Sequence, residues 1–133
     1  MLNSAEECLF CNKKKQKIIY SSKFIFIVRD SFPVTKLHSL IIPHRHVSNF
    51  FDLNVDELKD LSVALKKERQ KLLSLDKEIT AFNVGVNAGK DAGQSVMHCH
   101  IHLIPRRKGD IKNPRGGVRG VIPSKQKYKR SKL

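Results

Sequence analysis

His98-Cys99-His100-Ile101-His102-Leu103-Ile104 puts three imidazoles at alternate positions, with small or apolar residues between and after them. A strand turns successive side chains to opposite faces, so His98, His100 and His102 share one face at a repeat of roughly 6.5–7 Å. Cys99 points the other way, where a small buried role is expected. An exposed polar face could be built from any polar residue, so three histidines in register imply a reactive or metal-binding surface. A purely metal-binding triplet competes with a catalytic one, since imidazole is the commonest metal ligand.

The residues just upstream favour catalysis. Asn87-Ala88-Gly89-Lys90-Asp91-Ala92-Gly93-Gln94-Ser95-Val96-Met97 is a small-residue loop with two glycines, two carboxamides and a hydroxyl. Glycine lets backbone N–H groups approach a ligand, and Asn87, Gln94 and Ser95 can serve phosphate oxygens. Alone, such a loop is equally an ordinary hairpin turn. Beside the histidine strand it reads as a phosphate site with a nucleophile.

The run Gly93-Gln94-Ser95-Val96-Met97-His98-Cys99-His100-Ile101-His102-Leu103-Ile104-Pro105-Arg106 resembles the signature of the histidine triad family of nucleotide hydrolases and transferases. The resemblance continues through Cys8-Leu9-Phe10-Cys11, the segment Phe26 to Pro33, and His38-Ser39-Leu40-Ile41-Ile42-Pro43-His44-Arg45-His46-Val47. It implies that His100 attacks the α-phosphorus of a nucleotide and that water then releases a nucleoside monophosphate. Imidazole suits both steps, as a neutral nucleophile near pH 7 and as a leaving group from the phosphoramidate. The resemblance further implies that the backbone carbonyl of His98 orients His100 and that His102 contacts the phosphate and assists the leaving group. It places Gly93, Gln94, Ser95 and Asn87 around the phosphates and Asp30 at the ribose hydroxyls. It also implies a homodimer. One position departs from the pattern: Leu37 stands before His38, where many relatives carry Gly or another small residue.

Cys8 and Cys11 form a Cys-x-x-Cys pair, which needs two more ligands to close a tetrahedral zinc site. His46 and His98 match the positions that complete such a site in zinc-bearing relatives, with His44 as an alternative ligand. A redox pair and two unengaged thiols are the competing readings. Mg²⁺ accompanies many polyphosphate substrates and could neutralise the leaving group, although covalent catalysis by histidine does not require it.

A chain of 133 residues suits a single domain with a real core. Apolar runs at Ile18 to Tyr20, Phe24 to Val28, Ser39 to Ile42, Thr80 to Val86 and Val96 to Ile104 predict five strands. Between the third and fourth, Asn54 with Glu57 predicts a capped helix start. Leu58, Leu61, Leu65, Leu72 and Leu75 then predict a buried stripe opposite Lys59, Lys66, Glu68 and Lys71. The order of elements predicts an α+β fold, an antiparallel sheet of about five strands covered by one long helix and followed by an irregular basic C-terminal segment. The domain is expected over residues 1–124 and a basic tail over residues 125–133.

The segment Gly109 to Pro123 is rich in Gly, Pro and Arg and is expected to be irregular. Either it brings Arg115 and Arg119 to a polyphosphate, with a dimer partner as one route, or it is a solvated tail. Pro105-Arg106-Arg107 with Gly109-Asp110 is similar to the dinucleoside polyphosphate hydrolase branch of the resembled family. The net charge of +14 concentrates in Lys13 to Lys17 and Lys125 to Lys132, which read as solvated ends rather than a nucleic-acid face. No apolar run is long enough to span a bilayer, and three cysteines in no disulfide scheme suit a reduced cytoplasmic protein. The terminal Ser131-Lys132-Leu133 matches a peroxisomal address read in eukaryotes, here expected to be coincidental. The resulting expectation is a dinucleoside polyphosphate hydrolase with diadenosine tetraphosphate as substrate. A purine nucleoside phosphoramidate is the alternative on the same mechanism, and a zinc-containing nucleic-acid-binding module is the alternative from another class.

Overall fold

Branched aliphatic residues dominate the early apolar runs, which crowd a helix but pack well on a pleated surface. In a computed structural model, which describes residues 8–130, these runs form β1 (Ile18–Ser21), β2 (Ile25–Arg29) and β3 (Ser39–Pro43). A single long helix, α1 (Val55–Leu75), follows, and then β4 (Ile79–Val86) and β5 (Ile101–Arg107). The strands make one antiparallel sheet in the order β1-β2-β3-β5-β4. This is the expected α+β architecture.

All of β3 and most of β2 are buried, because both faces of the sheet are covered there. On one face Ile25, Ile27, Ile41, Cys99, Ile101 and Leu103 pack with Leu61, Ala64 and Leu72 of α1. On the other, Phe26, Val28, Leu40 and Ile42 pack with Cys8 and Phe10 from the N-terminal segment. The sheet is thus held between the helix and the cysteine segment, and the histidines emerge on the cysteine side.

The start of α1 is as expected. Asn54 Oδ1 accepts from the Glu57 N–H at 2.8 Å, and Glu57 Oε1 accepts from the Asn54 N–H at 3.0 Å. The buried stripe differs: it runs Glu57, Leu61, Ala64, Glu68, Leu72, while Leu58 and Leu75 are 39% and 57% exposed. Two carboxylates occupy this stripe because cations from elsewhere in the chain reach them. Arg45 grips Glu57 through Nη2 at 2.7 Å and Nε at 3.1 Å, and Arg29 of β2 pairs with Glu68. A Ser39 hydroxyl completes the Glu68 site at 3.1 Å.

β5 begins at Ile101 instead of Val96. The ladder to β3 stops at Ile41 and Ile101, where the backbone groups beyond find other partners. The Pro43 carbonyl accepts from the His98 ring at 2.8 Å, and the Cys99 N–H donates to Val47 O at 2.7 Å. The alternation of faces nevertheless persists through residues 98–103, since Cys99 lies in the helix-covered core with Ile101 and Leu103. Burial pushes the Cys99 thiol up to about 12.

The C-terminal segment contains two short 3₁₀ turns, at Gly117–Val121 and Pro123–Lys125. Gln126 sits against Gly116, where a Cβ would come within 1.8 Å of the Gln126 carbonyl oxygen, and Gly116 itself has φ +90°. Tyr128 collects the guanidinium groups of Arg115, Arg119 and Arg130 at 5.6, 4.5 and 5.8 Å from its ring centre. Within the expected basic tail, Gln126 and Tyr128 thus contact residues of the preceding segment. The Ser131-Lys132-Leu133 signal lies outside the described residues, as do residues 1–7. Among the described residues no helix is long and apolar enough to cross a membrane.

Candidate active site

Hydrogen bonds assign the tautomers of the histidine cluster, and those tautomers define its chemistry. His100 donates its Nδ1–H to the carbonyl of His98 at 2.8 Å, which leaves a lone pair on Nε2. His38, opening β3, accepts the Val34 N–H on Nδ1 at 3.0 Å. Its proton is therefore on Nε2, which donates to His102 Nδ1 at 2.9 Å. His102 must then carry its own proton on Nε2. A lone pair on His100 and an N–H donor on His102 stand on neighbouring rings, 5.2 Å between centres.

Burial, with the neighbouring His100 and His38, lowers the His102 pKa to about 4. Burial likewise lowers His38, with the Asp30 carboxylate opposing it. Both rings are neutral at pH 7. Asp30, His38 and His102 bring three potential ligand atoms together, yet the Val34 N–H occupies Nδ1 of His38 and keeps the proton on the Nε2 that faces the group. That trio is built as a hydrogen-bond relay, not as a metal site.

A second cluster lies on the far side of His98. Cys8, Cys11, His46 and His98 each offer one ligand atom within 4.8 Å of the others. Zn–S and Zn–N bonds of about 2.3 and 2.05 Å in tetrahedral geometry put sulfur and nitrogen about 3.5 Å apart and two nitrogens about 3.3 Å apart. The observed separations are 3.4 Å for Cys8–His98, 3.2 Å for Cys11–His46, 3.5 Å for Cys11–His98 and 3.3 Å for His46–His98. His98 donates Nε2–H to Pro43 O, which turns the Nδ1 lone pair toward the cluster as a metal ligand requires. Burial and the neighbouring Cys8 push the Cys11 thiol up to about 11. The donor set fits zinc. His44 does not join it: its ring contacts Lys13 and donates to Ser22 O at 3.0 Å.

The loop upstream behaves unevenly. Gly89 and Gly93 have φ +105° and +97°, conformations open to glycine at little cost. Asn87 lines a cavity beside His102 and Asp30, and Ser95 is exposed. Gln94 is buried and fully engaged. It accepts the Gly89 N–H at 2.9 Å, and it donates to Ser48 O at 2.8 Å and Val96 O at 3.0 Å. Its side chain braces the loop, with both amide hydrogens given to backbone carbonyls. Arg115 and Arg119 are also not found among the cavity residues; their guanidinium groups rest on Tyr128.

The cavity measures about 890 Å³. Asp30, Phe32 and His38 line it on one side of His102, and Asn83, Arg106 and Gln126 on the other. Asp30 Oδ1 accepts the Phe32 N–H at 2.9 Å, and Thr35 ties this loop to Pro105 O at 2.6 Å.

Sequence reasoning gave no role to His38 or Phe10. The sole local signal for His38 is a histidine opening an otherwise apolar strand. Phe10 lies edge-on to His98 and His100, at 5.9 and 5.1 Å between centres, and nothing in the sequence marks it.

A cavity lined by His38 and His102 lies beside the His100 ring, whose free Nε2 neighbours the His102 N–H, an arrangement suited to nucleophilic transfer. The profile of the HIT domain family matches residues 12–109, and the chain belongs to that family. It is 42% identical over 94 residues to the nitrilase and fragile histidine triad fusion protein NitFhit of Caenorhabditis elegans, covering 71% of this chain and 21% of that protein. It is 36% identical over 95 residues to the asymmetrical bis(5'-nucleosyl)-tetraphosphatase of Schizosaccharomyces pombe, covering 71% and 52%. The chain thus spans about half or less of these two relatives. Among solved structures, a zinc-bound histidine triad family protein from Mycobacterium smegmatis superposes with a TM-score of 0.74 at 25% identity, covering 83% and 82%.

Proposed function

We propose that this protein hydrolyses dinucleoside polyphosphates, diadenosine tetraphosphate foremost, through a nucleotidyl-histidine intermediate. The observation that carries the reading is the tautomer set, with the His98 carbonyl holding His100 Nδ1–H so that Nε2 is a free nucleophile beside His102 Nε2–H. In the first step His100 Nε2 bonds to the α-phosphorus and the bond to the bridging oxygen breaks. ATP leaves, its new terminal oxygen accepting a hydrogen bond from His102 Nε2–H. In the second step water bonds to phosphorus, the P–N bond breaks, AMP departs and the water proton passes to solvent or phosphate.

The state of His102 favours this substrate over a phosphoramidate. A departing phosphate is a stable anion near pH 7, its second pKa being about 6, so a hydrogen bond suffices. Departing ammonia needs a full proton, whereas neutral His102 supplies a hydrogen bond through Nε2–H. The fission-yeast relative, a bis(5'-nucleosyl)-tetraphosphatase, supports the same reading. Asp30, Asn87, Gly93 and Ser95 are assigned to substrate binding, and Mg²⁺ would enter with the polyphosphate.

Cys8, Cys11, His46 and His98 would hold zinc as a structural ion that pins the N-terminal segment onto the histidine segment. A homodimer is proposed through the outer edge of β4, which pairs with β5 alone among the described residues and leaves Val84 exposed.

The test is product analysis after incubating wild type and His100→Ala with diadenosine tetraphosphate and, separately, adenosine phosphoramidate. AMP plus ATP from the first, lost in the variant, is expected. AMP from the phosphoramidate alone would move the substrate class, and turnover of neither would overturn the reading.

A further inference from the structure

The cavity runs from Asp30 and His38 past His102 to the C-terminal segment. At about 890 Å³ it sits near the top of the usual small-molecule range of roughly 300–1,000 Å³. His102 stands between its two arms. The first arm is the Asp30 and His38 side. The second has the sheet as its floor, with Asn83 on β4 and Ile104 and Arg106 on β5, and the C-terminal segment as its wall, with Val118, Val121 and Gln126.

The second arm is not built for phosphate. Its one floor cation, Arg106, is bound by both oxygens of Asp110, Nη2 to Oδ1 at 2.7 Å and Nε to Oδ2 at 2.8 Å. Arg115 and Arg119 are held away on Tyr128. Apolar walls remain, together with two half-used carboxamides. Asn83 accepts from Arg106 Nη1 at 2.8 Å, which leaves its NH₂ uncommitted among the described residues. Gln126 donates to Arg115 O at 3.4 Å, which leaves its carbonyl oxygen beside Gly120. A neutral, flat ligand with both donors and acceptors on its edge fits this chemistry.

Direction supplies the rest. An in-line displacement expels the leaving group on the side of phosphorus opposite His100, toward the ring whose N–H receives it. That ring is His102, which lines the cavity together with Asn83, Ile104 and Arg106.

We propose that the arm between β4–β5 and the C-terminal segment is a subsite for the nucleoside of the leaving nucleotide, with Asn83 and Gln126 meeting the base edge and Val118 and Val121 its face. The assignment rests on the hydrolase reading above. Gln126, fixed against Gly116, holds the wall in place.

The experiment compares kcat/KM for diadenosine tetraphosphate and for adenosine 5′-tetraphosphate, which has the same polyphosphate but no second nucleoside. It uses wild type and the double variant Val118→Ser/Val121→Ser. Val118 and Val121 are 64% and 75% exposed, so the fold does not depend on them. The expected result is a wild-type preference of about tenfold for the dinucleotide, consistent with burying one base. The double variant should lose that preference through the dinucleotide alone, with the mononucleotide rate held within twofold. Equal wild-type rates, or an equal fall for both substrates in the variant, would overturn the subsite while leaving the hydrolase reading intact. Turnover of neither substrate would remove the hydrolase reading and the subsite with it.

Discussion

Replacing His38 tests the relay directly, because two substitutions separate its two hydrogen bonds. In His38→Asn the carboxamide oxygen can still accept the Val34 N–H, as Nδ1 does at 3.0 Å, but nothing reaches His102. In His38→Gln the longer side chain can place an N–H near the Nε2 position, 2.9 Å from His102 Nδ1. Leaving a half-buried acceptor without its donor costs about 1–3 kcal/mol. At about 1.4 kcal/mol per tenfold this corresponds to roughly 5- to 150-fold in rate if the productive His102 ring position carries it. Residues that orient a reacting group through one hydrogen bond are worth about 10–100-fold. His38→Asn should therefore lower kcat for AMP release by about 10–100-fold with the AMP dissociation constant within threefold, while His38→Gln recovers most of kcat. Steady-state kinetics and AMP titration calorimetry on the same preparations give both numbers. Equal losses in Asn and Gln, or full turnover in Asn, would show that His38 only fills space and that the tautomer argument is wrong.

Glu68→Leu should destabilise by about 2–4 kcal/mol, since it strands Arg29, whose side chain is only 27% exposed. Arg29→Met/Glu68→Leu should return to within about 1 kcal/mol of wild type in urea unfolding, and a double variant no better than the single would refute the pairing. Metal-free protein should lose stability between pH 7 and pH 5. His102 takes its proton near 6.5 when unfolded but only near 4 when folded, so the unfolded state binds more protons in that window. His98 is lowered likewise to about 4, so the combined loss between pH 7 and pH 5 should be about 3–4 kcal/mol, levelling below pH 4, and an unchanged urea midpoint at pH 5 would contradict it. Leu37 has φ +74°, so Leu37→Gly should be more stable than Leu37→Ala by about 1 kcal/mol, reversing the usual order. Thermal unfolding of the two variants decides it.

The fold was legible where one element carries its own pattern. The two-residue period of His98, His100 and His102 put them on one face, and Asn54 with Glu57 marked the helix start. The buried stripe of α1 was not legible, because Glu57 and Glu68 are buried only through Arg45 and Arg29 on other elements. His38 escaped notice for the same reason, since its partners are a loop N–H and a ring 64 positions away. The bracing role of Gln94 was not legible, because a carboxamide in a glycine loop looks alike whether it serves a phosphate or braces Gly89, Ser48 and Val96. The strand expected over Val96 to Ile104 starts later, at Ile101, because alternation continues upstream of the point where the ladder ends, and it runs on to Arg107 in its pairing with β4.

The position of β5 between β3 and β4 bears on how the protein is made. Leu40 lies beside His102 across the β3–β5 ladder, so the central pairing joins segments separated by the whole helix. Such long-range closure is slow relative to hairpin or helix formation. During synthesis the β2–β3 hairpin and α1 can assemble on the ribosome while the residues that do the chemistry are still unmade. The histidine site is therefore complete only once β5 has paired between β3 and β4.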